Sequence, residues 1–113
     1  MEGDLPDSDW KVVRKLHDLA LERFCQRVLA DVDRINGVTT IKAHARYLEI
    51  FKLIEEQDKE IEWIFNDLTR FNAMEHLFAM RSRGLLSEDE FALLSQETQD
   101  QVKWFLEDPL TDS

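Results

Sequence analysis

Residues that interrupt helices are scarce in this chain. Its 113 residues include three glycines and two prolines, all at ends or joints. Gly3 and Pro6 precede the first apolar run, Gly37 follows it, Gly84 divides the later segments and Pro109 begins the tail. Gly and Pro break helices, so residues 7–36 and 38–83 are free to be helical throughout. Cys25 is the only cysteine, which excludes an internal disulfide and a thiolate-built structural zinc site. No apolar run exceeds four residues, as in Leu77-Phe78-Ala79-Met80. A membrane span needs about 20, so none is expected. The opening residues, MEGDLPDSDW, are acidic and lack the apolar segment of a secretory signal. A cytoplasmic location is the resulting expectation.

Bases are scarce too, above all late in the chain. Lys and Arg number 14 against 24 Asp and Glu, a net charge of −10. Residues 1–40 carry eight acids and six bases, and 41–84 carry eight and seven. Residues 85–113 carry eight acids and one base, Lys103. This opposes nucleic-acid binding, which draws on clustered Lys and Arg. It fits solubility, internal cover for Arg81 and Arg83, or a basic protein partner.

What is present is apolar content enough for a core: 43% hydrophobic residues, 10% aromatic. A chain this long buries roughly two thirds of its unfolded surface. A single helical domain over 1–113 is expected, with flexible ends at 1–7 and 108–113.

The first helix is predicted from about Asp9 to Asn36, with Asp7, Ser8 and Asp9 offering N-cap oxygens. Val13, Leu16, Ala20, Phe24, Val28 and Ile35 recur at helical spacing. With Trp10, Leu21 and Val32 they form a face wide enough for a bundle. Thr39 or Thr40 is the expected cap of the second helix. There Tyr47, Phe51, Ile54, Asp58, Ile61, Phe65 and Leu68 follow a heptad seam with one polar intruder, Asp58. Continuity through Asp58 is favoured, with a kink or restart at Asn66, Asp67 or Thr69. A third helix should reach Arg83, with Phe71, Met74, Leu77 and Phe78 inward. Gly84 should take the left-handed position that ends it, with Leu85 and Leu86 packing across the joint. Ser87 and Glu90 have capping-box spacing, and a short helix to about Leu94 follows. Ser95 should cap a last helix over 96–107. The string Gly84-Leu85-Leu86-Ser87-x-x-Glu90-Phe91 resembles the helical hairpins of the short C-terminal oligomerisation modules called SHOCT domains, over about a dozen residues. No function is carried over from that resemblance. The predicted fold is all-α: a helical bundle of two long antiparallel helices plus a third helix and a short C-terminal helical hairpin.

Catalytic and metal motifs are not found. A di-metal bundle needs Glu-x-x-His pairs, and the residues three before His17, His44 and His76 are Arg14, Ile41 and Ala73. The acids at 55, 56, 58, 60 and 62 scatter around their helix as a solvated face. A cysteine nucleophile needs a nearby base, and His17 lies two turns from Cys25. Three glycines cannot build a phosphate loop. No catalytic residue, cofactor or metal is assigned. Arg23, Arg27 and Arg34 share one edge of the first helix, where internal or subunit pairing is the expected use. A helix-turn-helix at Gly84 would begin its second helix with Glu88-Asp89-Glu90, which phosphates repel.

His17 points into the first helix's apolar face. It could be a core histidine with one partner, or it could meet Asp58 as a buried polar pair that makes packing pH-sensitive. Trp63 lies among Lys52, Glu56, Lys59, Asn66 and Arg70 on its helical wheel. Either another segment or stacked Lys59 covers it, or it is an interface anchor. Leu48 lies off the same seam, and Leu19 and Leu29 do likewise on the first helix. Trp63, Leu48, Lys59, Leu19 and Leu29 are therefore the candidate interface, and a homodimer is the expected partner arrangement. The expected role is a non-enzymatic interaction or regulatory module. The alternatives are an acidic inhibitor or immunity-type protein that blocks a basic surface, and a small metal-binding or enzymatic bundle using His17 and Asp58.

Overall fold

The computed structural model describes residues 5–107, and side chains through residue 104. The fold class is the predicted one, an all-α bundle, with no strand among the described residues. Its helices are α1 (Asp7–Asn36), α2 (Ala43–Phe65), α3 (Ala73–Ser82), α4 (Glu88–Phe91) and α5 (Gln96–Glu107). Two compact units divide the chain: Met1–Ala20 with Asp67–Ser113, and Leu21–Asn66.

In the first unit, α1 begins two residues earlier than predicted. The Trp10 N–H donates to the Pro6 carbonyl at 2.9 Å, closing the first turn. Of the expected flexible ends, residues 1–4 and 108–113 lie outside the described residues. Residues 5–7 are held down instead. Leu5 is buried, and Arg70 donates to its carbonyl from Nε at 2.8 Å and Nη2 at 2.6 Å. The same guanidinium pairs with Asp7 at 2.7 Å. Val13, Leu16 and Ala20 are buried as their spacing predicts.

The turn before α3 is built by Asn72. Its Oδ1 accepts from the Thr69 N–H at 2.8 Å and its Nδ2 donates to the Asp67 carbonyl at 2.9 Å. Asp67 takes φ 63°, a left-handed conformation that Asp tolerates better than most residues. Leu77 is buried and Met74 and Phe78 are half-buried, but Phe71 is exposed. It precedes the helix, so the helical spacing that placed it inward does not apply.

The joint after α3 follows its sequence closely. Gly84 sits at φ 68°. Its N–H donates to Arg81 and the Leu85 N–H to Met80, both at 3.0 Å, the two bonds of a Schellman motif. Leu85 and Leu86 are buried. Glu90 N–H donates to Ser87 Oγ at 3.1 Å and Ser87 N–H to Glu90 Oε1 at 2.9 Å, completing the capping box. Arg81 ties the joint: it donates to the Leu86 carbonyl at 3.0 Å, pairs with Glu88 at 2.6 Å and lies 4.6 Å from the Phe91 ring centroid. The short helix ends at Phe91, and α5 then packs on α3 with Val102 buried.

The second unit is a helical hairpin of the later part of α1 and all of α2. Arg46 closes one end, donating from Nη1 to the Asn36 carbonyl at 3.0 Å and its Oδ1 at 2.8 Å, and from Nε to the Ile41 carbonyl at 2.9 Å. At the other end Phe24 and Phe65 meet edge to face, centroids 5.9 Å apart. Those two contacts make the helices antiparallel. Neither Thr39 nor Thr40 caps α2. The Thr39 and Ile41 N–H groups bond back into the connecting turns, and Lys42 takes the N-cap position without a side-chain bond.

α2 is continuous through Asp58, as favoured. The heptad seam is not its covered face along the whole length. Phe65 is buried and Ile61 half-buried, but Tyr47, Phe51, Ile54 and Asp58 are exposed. The half-buried to buried stripe runs instead through Arg46, Ile50, Leu53, Gln57, Ile61 and Ile64. The Arg46 clamp on Asn36 and Ile41 turns that stripe inward and leaves the aromatic one outside.

Candidate functional site

The outer face of α2 is the candidate site. Three of its side chains form an aromatic ladder at helical spacing. His44 and Tyr47 stack with centroids 6.4 Å apart and planes at 19°, and Tyr47 and Phe51 follow at 6.5 Å and 24°. Tyr47 is 62% exposed, Phe51 53% and Ile54 42%. Leu48 is exposed beside them in sequence. Soluble monomers rarely leave a contiguous apolar patch of this kind uncovered unless it binds something.

Beside this face an open cleft of about 250 Å³ runs between the two helices of the hairpin. Cys25, Val28 and Leu29 line it from α1, and Ile54, Gln57, Asp58 and Ile61 from α2. Ile54 belongs to both cleft and patch, so the two are continuous. Cys25 is free and half-buried at the cleft wall.

The sequence-predicted interface residues are all exposed, but not all in one place. Trp63 is 70% exposed on α2, with exposed Lys59 one turn before it. Leu48 lies at the other end of that helix, and Leu29 lies across the cleft on α1. Leu19 belongs to the other compact unit. His17 is half-buried with Nδ1 3.7 Å from Asp18 Oδ1, whereas Asp58 is exposed; they too fall in different units. The exposed stretch that sequence reasoning missed as a surface is Tyr47, Phe51 and Ile54, because their heptad spacing marked them as core.

A second constellation was also missed. Asp9 is only 2% exposed. Its Oδ1 accepts the Ser95 N–H at 2.8 Å, and its Oδ2 accepts the Ser95 and Thr98 hydroxyls at 2.6 and 2.7 Å. Asp9 therefore joins α1 to the start of α5. Burial acts to raise its pKa, but hydrogen bonds from the Ser95 hydroxyl, the Thr98 hydroxyl and the Ser95 N–H outweigh it and hold the carboxyl below its usual value. All its donors belong to the protein itself, so the cluster is structural. Its signal was in the sequence: Asp9 continues the stripe of Val13, Leu16 and Ala20.

Among the described residues, no three His, Cys, Asp or Glu side chains converge as metal ligands would, and no helix is long and apolar enough to cross a membrane. Comparison with protein-family models, with curated proteins and with solved structures yields no match to this chain.

Proposed function

We propose that the chain is a non-enzymatic protein-interaction module that associates with a second copy of itself through the outer face of α2. The carrying observation is the exposed stripe of Tyr47, Phe51 and Ile54. Side chains of this size gain about 1.5–3 kcal/mol when taken fully out of water, and each here is only partly covered. Trp63 and Lys59 are exposed on the same helix, but they lie well around it from Tyr47, Phe51 and Ile54 and stand outside this face. A cytoplasmic setting is part of the proposal, since a lone Cys25 beside an open cleft suits a reducing compartment.

The test is solution molar mass by light scattering at low and high salt. A salt-resistant mass of twice the 13.4 kDa chain supports the proposal. Phe51→Glu should then give a monomer with unchanged helical circular dichroism. A wild-type monomer at both salts overturns it. That result would favour the acidic-inhibitor alternative, which rests on a different surface: Glu88, Asp89, Glu97 and Asp100 are exposed, and the same stretch exposes Leu93 and Trp104. Capture of a basic protein would then weaken steeply with salt.

A further inference from the structure

Charge is sorted around the hairpin of α1 and α2, and the sorting centres on the cleft between them. Among the described residues that line the cleft, Asp58 is the charged one, set among apolar side chains, Gln57 and Cys25. Successive helical residues turn by about 100°. Turning outward from the cleft on α2 therefore meets Asp58, then Glu62 and Glu55, before Lys59 and Lys52. The same turn on α1 passes Cys25 and Leu29 and meets Glu22 and Asp33 before Arg23, Arg34 and Arg27. All five of these acids are exposed. Arg46 is held at the hairpin's end by its bonds to Asn36 and Ile41. The acids are also spread along the cleft. Glu22 and Glu62 stand near the end closed by Phe24 and Phe65, Glu55 and Asp58 near the middle of α2, and Asp33 towards the Arg46 clamp. An apolar floor is thus rimmed on both sides by carboxylates, with the bases of the hairpin turned further away.

Two antiparallel helices with an apolar cleft between them form a seat for a third, and a helix enters such a groove by its apolar stripe. The cleft and the adjoining aromatic ladder extend from Tyr47 to Ile61, 14 residues of α2. At 1.5 Å per residue that is about 21 Å, roughly four turns of a partner helix. The rims select the charge of the occupant. A helix with acidic flanks is repelled from both sides, whereas one with Lys or Arg on either side of its apolar stripe is matched on both. We propose that the cleft takes one amphipathic helix of a different protein, its apolar stripe on Leu29, Ile54 and Ile61 and its flanking Lys or Arg residues against the carboxylates of the two rims. This goes beyond the self-association proposed above and does not depend on it. Ile54 belongs to both surfaces, so a second copy and the basic helix compete for it.

The test uses two synthetic, fluorescein-labelled helical peptides and the full-length protein, read by fluorescence anisotropy. One peptide carries a leucine stripe flanked on both sides by lysine; the other has glutamate at every lysine position. The lysine peptide should bind and the glutamate peptide should not. The double variant Asp58→Lys, Glu62→Lys should weaken binding about tenfold or more. Glu49→Lys with Glu56→Lys makes the same change of net charge at exposed positions on the other side of α2, and should weaken it less than about threefold. Leu29→Ser, which alters the floor and no charge, should also weaken it about tenfold. Circular dichroism should show unchanged helix content in all three variants. Equal losses in the two double variants would mean capture by the acidic chain as a whole and overturn the inference. Equal binding of the two peptides would overturn it as well. A wild type that takes up neither peptide but has twice the chain mass by light scattering would assign this face to a second copy, overturning the inference and leaving self-association intact.

Discussion

Replacing Asp9 by alanine removes one acceptor from three donors at once. The carboxylate takes the Ser95 N–H at 2.8 Å, the Ser95 hydroxyl at 2.6 Å and the Thr98 hydroxyl at 2.7 Å. Hydrogen bonds to a charged group each contribute about 1.5–3 kcal/mol, but two of these come from one residue, so they do not add. A total loss of about 3–4 kcal/mol follows, a large share of the roughly 5–15 kcal/mol that holds a domain folded. The expected fall in Tm is roughly 10–20 °C. Asp9→Asn keeps the shape and lets the hydroxyls rotate, so it should lose about half as much. The pH dependence identifies the cause. The native pKa is depressed below the ordinary 3.8, so the unfolded chain binds the proton first as pH falls. The stabilisation is complete well above 3.8 and disappears as pH drops through the lower native value. Urea titrations followed by circular dichroism at pH 7 and at successive steps to pH 2 should show the gap between wild type and Asp9→Asn narrowing in that acid window. A gap unchanged to pH 2, or an Asp9→Ala protein as stable as wild type, would refute the argument.

Two further stability predictions concern the joint after α3. Gly84→Ala forces a side chain into φ 68° and should cost about 1–2 kcal/mol in urea unfolding, with the helix content of the folded state preserved. Phe91 is buried beneath the Arg81 guanidinium, so Phe91→Ala should cost about 3–5 kcal/mol. Leu93→Ala, two residues on at an exposed site, should change stability by less than about 0.5 kcal/mol.

The parts of the fold legible in the sequence are those whose partners lie close along the chain. The Schellman bonds join Gly84 and Leu85 to residues three and five earlier, and the capping box joins Ser87 to Glu90. Such motifs are set by a few adjacent side chains and backbone angles. Asp9 shows the opposite case. Its place on the apolar stripe could be read, but its donor at Ser95 is 86 residues away. An acid near a helix start was therefore assigned to that helix, whereas its carboxylate holds the start of another. Phe71 failed for a third reason: three side-chain hydrogen bonds of Thr69 and Asn72 hold it in a turn, where helical spacing carries no information about direction.

The candidate surface arises from a conflict within α2. Phe51 and Phe65 stand 14 residues apart, four helical turns, and so share one side of the helix. The heptad places them in one seam, yet Phe65 is buried against Phe24 and Phe51 is half exposed. Spacing determines which side chains share a face; it does not determine what covers that face. α2 carries two apolar stripes, and a single hairpin partner cannot cover both. Arg46 belongs to the stripe of Ile50, Leu53, Gln57 and Ile64, and its bonds to Asn36 and Ile41 fix that stripe inward. The aromatic stripe is then surplus to the hairpin itself. The self-association proposed above would give Tyr47, Phe51 and Ile54 the cover that the hairpin leaves them without.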